Sequence, residues 1–223
     1  MSNETVSTPV MVMDPYAIDR RNYYLALLTA TFALNFLDRS IVNVLLQSIK
    51  MDLHLSDTAL GFIAGLGFAL LYTVLGVPFA RLADLKGYRP VIAFGVGLWS
   101  LMTVVGGCAM SGTQLALART GVGIGEAAGT APSVAMVAAL FPNRERPRAL
   151  SILYMGMPIG ILAGISLGGF FDHWFGWRAA LFIAGLPGLI VTALLMFTVN
   201  DTSHLHRSVD PLSKSESGVR WRF

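Results

Sequence analysis

Charged residues and cysteine are both scarce in this sequence. Of its 223 residues, 13% are charged and 54% are hydrophobic, whereas a soluble domain is about 25% charged and about 45–50% apolar. The chain therefore has too few charges to cover a surface in water, and its composition predicts a lipid-facing protein. The single cysteine, Cys108, excludes an internal disulfide framework and a metal site built from cysteines.

Signals for secretion and for enzymatic chemistry are also missing. The first 22 residues are polar and of mixed charge, and the apolar stretch that begins at Tyr23 is too long for the core of a cleavable signal peptide. The four histidines lie in connections or tails, so no metal site is predicted. Because no nucleophile and base fall on adjacent faces of the apolar segments, neither an enzymatic function nor a cofactor is predicted.

Long apolar segments make up most of the chain. A helix needs about 20 mostly apolar residues to cross the ~30 Å hydrocarbon core of a bilayer. Six segments meet this requirement, at residues 23–47, 58–79, 90–110, 115–140, 149–171 and 179–199. The sequence therefore predicts an all-α, polytopic membrane protein. Its predicted parts are a cytoplasmic tail at 1–22, a six-transmembrane-helix bundle at 23–200 and a disordered cytoplasmic tail at 201–223.

The positions of the basic residues predict the orientation of the bundle. Twelve of the 16 Lys and Arg residues fall in the two tails and in the second-to-third and fourth-to-fifth connections, whereas the opposite connections contain only Lys50 and Arg178. Because Lys and Arg are enriched in cytoplasmic loops, both termini are predicted to be cytoplasmic, in an inner or plasma membrane. Topology thus explains the net charge of +3, and no nucleic-acid partner is predicted.

The second-to-third connection contains a short motif in which Asp84, Gly87 and Arg89 are spaced as in a known loop signature. The segment resembles the loop signature of the major facilitator superfamily. In that signature a small residue is followed by an acid, a glycine and basic residues. Ala80 and Leu85 depart from the signature, because a glycine and a basic residue are usual at those positions. The motif predicts a tight turn in which Gly87 adopts a positive φ.

Four other segments strengthen this resemblance. They are an arginine followed by spaced glycines and an acid at 119–129, an arginine-rich run at 144–149, a Gly-Trp-Arg sequence at 176–178, and Asn-Phe-Leu-Asp-Arg at 35–39. The first-span and fourth-span motifs are most similar to those of the spinster-like and anion:cation symporter branches. The resemblance implies the amino-terminal half of a transporter, made of two inverted three-helix repeats whose first helices line the pathway.

The resemblance is compatible with several functions. The favoured one is secondary transport, as a symporter, of a small organic solute such as an anion, with protons and the lipid bilayer as further partners. A complete family member has two six-helix bundles, so a single copy of this chain is expected to be incomplete. The alternatives are a truncated fragment or six-helix assembly partner that does not transport, and a half-transporter that forms a homodimer.

Charged side chains inside the predicted spans are the candidate functional residues, because burial of charge in a bilayer is costly. They are Asp38, Arg39, Arg119 and Glu126. The first span also has a polar stripe that repeats every four residues, at Asn35, Arg39, Asn43 and Gln47. Because Arg119 and Glu126 are seven residues apart, they share a face of the fourth span. We expect the two polar faces to meet at a common aqueous cavity.

Two roles for the charged residues remain open. Asp38 and Glu126 could take up protons while Arg39 and Arg119 act as counter-charges, because burial favours a protonated carboxyl group and a nearby guanidinium disfavours it. The spinster-like resemblance implies such roles. Alternatively, Asp38 and Arg119 could form a static pair that joins two helices. At least one of the two arginines could also bind a carboxylate or phosphate of the solute.

Overall fold

The computed structural model describes residues 20–199. The predicted tails, 1–22 and 201–223, lie outside this range except for residues 20–22. The described residues form helices and short turns, with no strand, which confirms the predicted all-α fold. The helices are Arg21–Asp52, Asp57–Gly61, Gly67–Lys86, Tyr88–Gly107, Gly112–Leu140 and Arg146–Thr198, and a π-helical segment, Phe62–Leu66, follows the second of them.

Four of the described helices are long and apolar enough to cross a membrane: Arg21–Asp52, Tyr88–Gly107, Gly112–Leu140 and Arg146–Thr198. The last has 53 residues and would be about 80 Å long at 1.5 Å per residue, far more than one bilayer core. Gly176 interrupts it with non-helical backbone angles, so it consists of two helices. Helix occupies most of each of the six predicted segments, although 90–110 and 179–199 extend past the ends of their helices. We number the spans Arg21–Asp52, 57–86, Tyr88–Gly107, Gly112–Leu140, 146–175 and 177–198.

Two glycines with a positive φ make the sharp turns that connect neighbouring spans. Gly87 has a φ of 94° between the second and third spans, and Gly176 has a φ of 80° between the fifth and sixth. A residue with a Cβ is strained in this region. The prediction that Gly87 adopts a positive φ is thus confirmed. The structure shows a second positive φ at Gly176, where the Gly-Trp-Arg motif had indicated only the start of the sixth span.

Glycine faces bring the fifth span against the first and the fourth span against the third. A Cβ added to Gly156 would lie 2.6 Å from the main-chain oxygen of Thr29, and one added to Gly164 would lie 2.7 Å from that of Leu37. A Cβ on Gly125 would likewise lie 2.5 Å from the main-chain nitrogen of Trp99. Such contacts are typical of small-residue packing between membrane helices.

The Arg178 side chain joins three helix ends on the side of the bundle opposite the basic connections. It donates to the carboxylate of Asp52, at 2.7 Å, and to the main-chain oxygen of Ala109, at 3.0 Å. The indole nitrogen of Trp177 donates to the same carboxylate at 3.3 Å. The Gly-Trp-Arg motif therefore holds the turn at Gly176 against the ends of the first and third spans.

Candidate functional site

A polar layer separates two clusters of buried apolar side chains. One cluster contains Phe32 and Trp99 and extends toward the basic end of the bundle, and the other contains Ile41 and Leu115. On the first, third and fourth spans, the buried residues between these clusters include four polar ones: Asn35, Asp38, Thr103 and Arg119. An apolar interior on either side limits the access of water to this layer, so its charges interact strongly.

Asp38 and Arg119 form a buried ion pair between the first and fourth spans. The Arg119 Nη1 atom donates to Asp38 Oδ2 at 2.8 Å, and the side chains of Arg119 and Asp38 are 6% and 3% exposed, respectively. Removing two charges from water costs more than an average ion pair returns, so a buried pair is weak support for stability alone. The pairing required by the static role is therefore present, and it is equally compatible with a proton-binding role.

Thr103 of the third span completes the surroundings of Asp38. Its hydroxyl oxygen lies 2.5 Å from Asp38 Oδ1 and 3.0 Å from the main-chain oxygen of Trp99. A hydroxyl group has one hydrogen and two acceptor sites. Thr103 can therefore donate to an ionised Asp38, or accept from a protonated Asp38 while it donates to Trp99. The four-charge prediction missed Thr103, although its polarity within an apolar segment was a visible signal.

Arg39 and Glu126 form a second ion pair between the same two spans. The Arg39 Nε and Nη2 atoms both lie 2.6 Å from Glu126 Oε2. Glu126 is completely buried, whereas the side chain of Arg39 is 29% exposed. The other carboxylate oxygen, Oε1, is buried and has no hydrogen-bond partner among the described residues. Arg39 thus connects a buried acid to the accessible face of the bundle.

Aromatic rings flank the guanidinium of Arg39. Its Cζ atom lies 4.8 Å from the centre of the Tyr72 ring and 5.6 Å from that of Phe36. A cation over an aromatic face is favoured by about 0.5–1 kcal/mol at an exposed site and more when desolvated. The second span therefore contributes to this site through Tyr72, which the sequence reasoning did not identify.

The polar stripe of the first span does not lie in one environment. Asn35 is 3% exposed, and neither polar atom of its side chain has a partner among the described residues. Asn43, in contrast, is exposed. The reason is geometric, since each step of four residues advances about 40° around the helix, and Asn35 and Asn43 therefore differ by about 80°. The structure thus places the two asparagines in different environments, and their membership of one aqueous face stays a prediction.

The residues of the loop motif lie together at the basic end of the bundle, apart from the polar layer. The hydroxyl of Tyr88 donates to Asp84 Oδ1 at 3.3 Å. Arg89 Nη2 donates to the main-chain oxygen of Met196 in the sixth span. Within residues 20–199, no three His, Cys, Asp or Glu side chains are grouped so as to hold a metal ion. The described acids instead face arginine, lysine or hydroxyl partners.

Comparisons with known proteins agree on one family. The profile of the Major Facilitator Superfamily matches residues 28–220. An MFS-type efflux pump of Mycolicibacterium smegmatis is 38% identical over 185 residues, which are 83% of this chain and 43% of that protein. A probable L-galactonate transporter of Escherichia coli K12 is 31% identical over 168 residues, which are 74% of this chain and 37% of that protein.

A solved structure supports the same relationship. The crystal structure of a bacterial homolog of the human lysosomal transporter Spinster, inward-facing and unoccupied, superposes with a TM-score of 0.76 at 32% identity. The match covers 85% of this chain and 44% of that one. The chain thus spans less than half the length of each of these three proteins.

Proposed function

Since the chain belongs to the major facilitator superfamily, we propose that it contributes to proton-coupled transport of a small organic anion across a membrane. The family and the similar solved fold confirm that it is an all-α, multi-pass membrane protein related to transporters rather than to enzymes. Because it spans less than half the length of its relatives, the proposal requires a second six-helix bundle beside it. That bundle would come from another segment of polypeptide or from a second copy of this chain.

The two ion pairs between the first and fourth spans are the observation that supports this proposal. Each pair places a buried carboxylate against a guanidinium, Asp38 with Arg119 and Glu126 with Arg39. Alternating access in such transporters moves one repeat or bundle against another around the bound solute, and in this proposal that movement alters the contacts between the first and fourth spans. A movement that separates either arginine from its acid would leave a carboxylate in an apolar interior. That carboxylate would then favour the protonated form.

The same geometry offers a way to couple solute and proton. Arg39 is the more exposed arginine of the two pairs, so a dissolved anion reaches it first. A carboxylate bound by Arg39 would compete with Glu126 for the guanidinium, and Glu126 would take a proton in compensation. One anion and one proton would then be bound together, as symport requires. One relative is named as a probable L-galactonate transporter. Galactonate is a carboxylate, so this name supports an organic anion as the substrate class.

We further propose that both termini face the cytoplasm. The basic connections, with Arg89 and Arg148 at one end of the bundle, support this orientation under the positive-inside rule. Only Lys50 and Arg178 belong to connections at the opposite end, and both form ion pairs with acids, Asp57 and Asp52. The uncompensated basic charge is thus concentrated on the proposed cytoplasmic side.

Export is the second candidate function. The relative with 38% identity is described as an efflux pump. In that case proton entry would drive solute exit, and the anion and the proton would occupy the site alternately. The same four residues would then be coupled in the opposite sense, because exchange requires the solute to leave the site when Glu126 takes up a proton.

Transport by proteoliposomes tests these proposals. The chain would be reconstituted alone and together with the carboxy-terminal half of the M. smegmatis relative, and proton movement would be followed with an enclosed pH dye as sugar acids are added. We expect solute-dependent proton flux with unaltered chain, and its loss in Glu126→Gln and in Arg39→Gln. Asp52→Asn, which removes a carboxylate from an exposed ion pair, is the matched control and should retain flux.

Two results would reject the coupling mechanism. One is solute uptake by the unaltered chain that is indifferent to the proton gradient. The other is gradient-dependent uptake of normal size in both Glu126→Gln and Asp38→Asn. The sign of the flux separates the two candidates, because symport moves protons with the solute and export moves them against it.

A further inference from the structure

A cavity of about 470 Å³ lies at the basic end of the bundle, away from the two ion pairs. The start of the first span, the end of the fourth and the start of the fifth enclose it. Its lining residues are Arg21, Asn22, Leu25, Ala26, Phe141, Glu145, Arg148, Ala149 and Ile152. Its volume falls within the ~300–1,000 Å³ that is usual for small-molecule sites.

The rim of the cavity, at the helix ends, is polar, and contacts with neighbouring side chains hold its Arg21 in place. Arg21 Nη2 lies 3.0 Å from Glu145 Oε2, and the Arg21 guanidinium lies 5.3 Å from the centre of the Phe141 ring. These contacts reduce the freedom that Arg21 would lose when it binds an anion. The Glu145 side chain is 48% exposed, so its ion pair is weak and readily replaced. Arg148, which is exposed, lines the same cavity.

One helical turn deeper, the cavity is apolar. Leu25 lies four residues after Arg21, and Ile152 lies four residues after Arg148, which corresponds to about 6 Å along each helix. Leu25 is buried, whereas Ile152 is 40% exposed. The lining thus changes from arginine to aliphatic in the direction from the helix ends into the bundle. A ligand that fits both levels has an anionic head and a hydrocarbon tail.

The charge around the rim favours an anion. Residues 20–22 and 144–148 contain five arginines and one acid: Arg20, Arg21, Arg144, Arg146, Arg148 and Glu145. Basic pockets between transmembrane helices are typical binding sites for acidic lipid headgroups, and guanidinium groups bind phosphate through charge-assisted hydrogen bonds. We propose that this cavity is a binding site for an anionic phospholipid, with its phosphate at Arg21 and Arg148 and an acyl chain along Leu25 and Ile152.

Lipid binding to the purified chain tests the site without any transport assay. The chain would be held in a neutral detergent and titrated with phosphatidylglycerol, phosphatidylcholine or inorganic phosphate, with bound lipid counted by native mass spectrometry and stability followed by thermal unfolding. We expect phosphatidylglycerol to bind and to raise the unfolding temperature. Arg21→Gln and Arg148→Gln should each weaken its affinity by about tenfold, which corresponds to about 1.4 kcal/mol.

Arg144→Gln is the matched control, because Arg144 is exposed in the same connection and does not line the cavity. It should leave the affinity for phosphatidylglycerol within about twofold. Arg21→Lys keeps the charge but removes the planar fork, and we expect an intermediate affinity. Normal thermal unfolding of the lipid-free variants would show that they are folded.

Three outcomes would overturn the proposal. Unchanged affinity in both cavity variants would mean that the lipid binds elsewhere. An equal loss in Arg144→Gln would mean a diffuse attraction to basic residues. Competition by inorganic phosphate at the same concentration as the lipid would identify a site for free anions that makes no use of Leu25 and Ile152. Because detergent solution presents lipid to both ends of the bundle, none of these outcomes depends on the proposed orientation.

Discussion

The guanidinium of Arg39 and the carboxylate of Glu126 differ sharply in their access to water although they are 2.6 Å apart. Glu126 is fully buried, and Arg39 is 29% exposed. The pair therefore has one member that can be solvated if its partner is lost and one that cannot. This asymmetry makes the two single substitutions distinguishable in the folded protein, independently of any transport measurement.

We predict that Arg39→Gln destabilises the chain more than Glu126→Gln does. The first change leaves a buried acid without its counter-charge, which costs about 3–5 kcal/mol in soluble proteins. After the second change, the exposed part of Arg39 allows its charge to turn toward water. Thermal unfolding of both variants in detergent measures the difference. Equal losses would indicate that Arg39 is as inaccessible as Glu126.

The Asp38–Arg119 pair should behave symmetrically, because both of its side chains are buried. Asp38→Asn and Arg119→Gln should each reduce the free energy of unfolding by about 3–5 kcal/mol. The double variant should recover a large part of the loss, since neither charge then remains alone. A double-mutant cycle from unfolding curves tests this coupling. Simple additivity of the two losses would show that the ion pair contributes no coupling energy.

Thr103→Val removes one hydroxyl next to Asp38 and keeps the shape of the side chain. Hydrogen bonds to charged groups contribute about 1.5–3 kcal/mol, so we expect a loss of stability within this range. Thr103→Ser retains the hydroxyl and should lose less. Chemical unfolding of the three proteins provides the comparison. A valine variant as stable as the parent would show that the hydrogen bond to Asp38 has no net stabilising effect.

Gly164→Ala should separate the first and fifth spans. An added Cβ would lie 2.7 Å from the main-chain oxygen of Leu37, which cannot move without shifting the helix. Overpacking of this kind costs about 1–3 kcal/mol. Gly169→Ala is the control, because a Cβ there meets nothing within 4 Å. A cross-link between cysteines placed on the two spans should form less readily in Gly164→Ala only.

Gly176→Ala tests the turn between the fifth and sixth spans. Gly176 combines a φ of 80° with a ψ of 165°, a region that costs other residues about 1–3 kcal/mol. A Cβ at Gly176 has no neighbour within 4 Å, so the loss would come from the backbone alone. Gly76→Ala, at a helical site that is also open, should have no such cost. Matching unfolding temperatures for both variants would contradict the turn's need for glycine.

The sequence by itself determined the membrane class, the helical segments, the family and the identity of the four charged residues within the spans. These features depend on local properties, since hydropathy over about 20 residues specifies a span and an ionisable residue within a span is conspicuous wherever its helix packs. The positive φ of Gly87 was predictable for the same reason. It follows from a turn motif of a few adjacent residues.

Only the tertiary structure decided which acid pairs with which arginine, and that Thr103 and Tyr72 belong to the site. Helical periodicity places residues on one face of a helix, but it specifies neither the rotation nor the height of that helix against its neighbours. For this reason Asn35 is buried while Asn43 is exposed, although both belong to one stripe in the sequence. The cavity between Arg21 and Arg148 has the same origin, because it exists only where the ends of three separate spans meet.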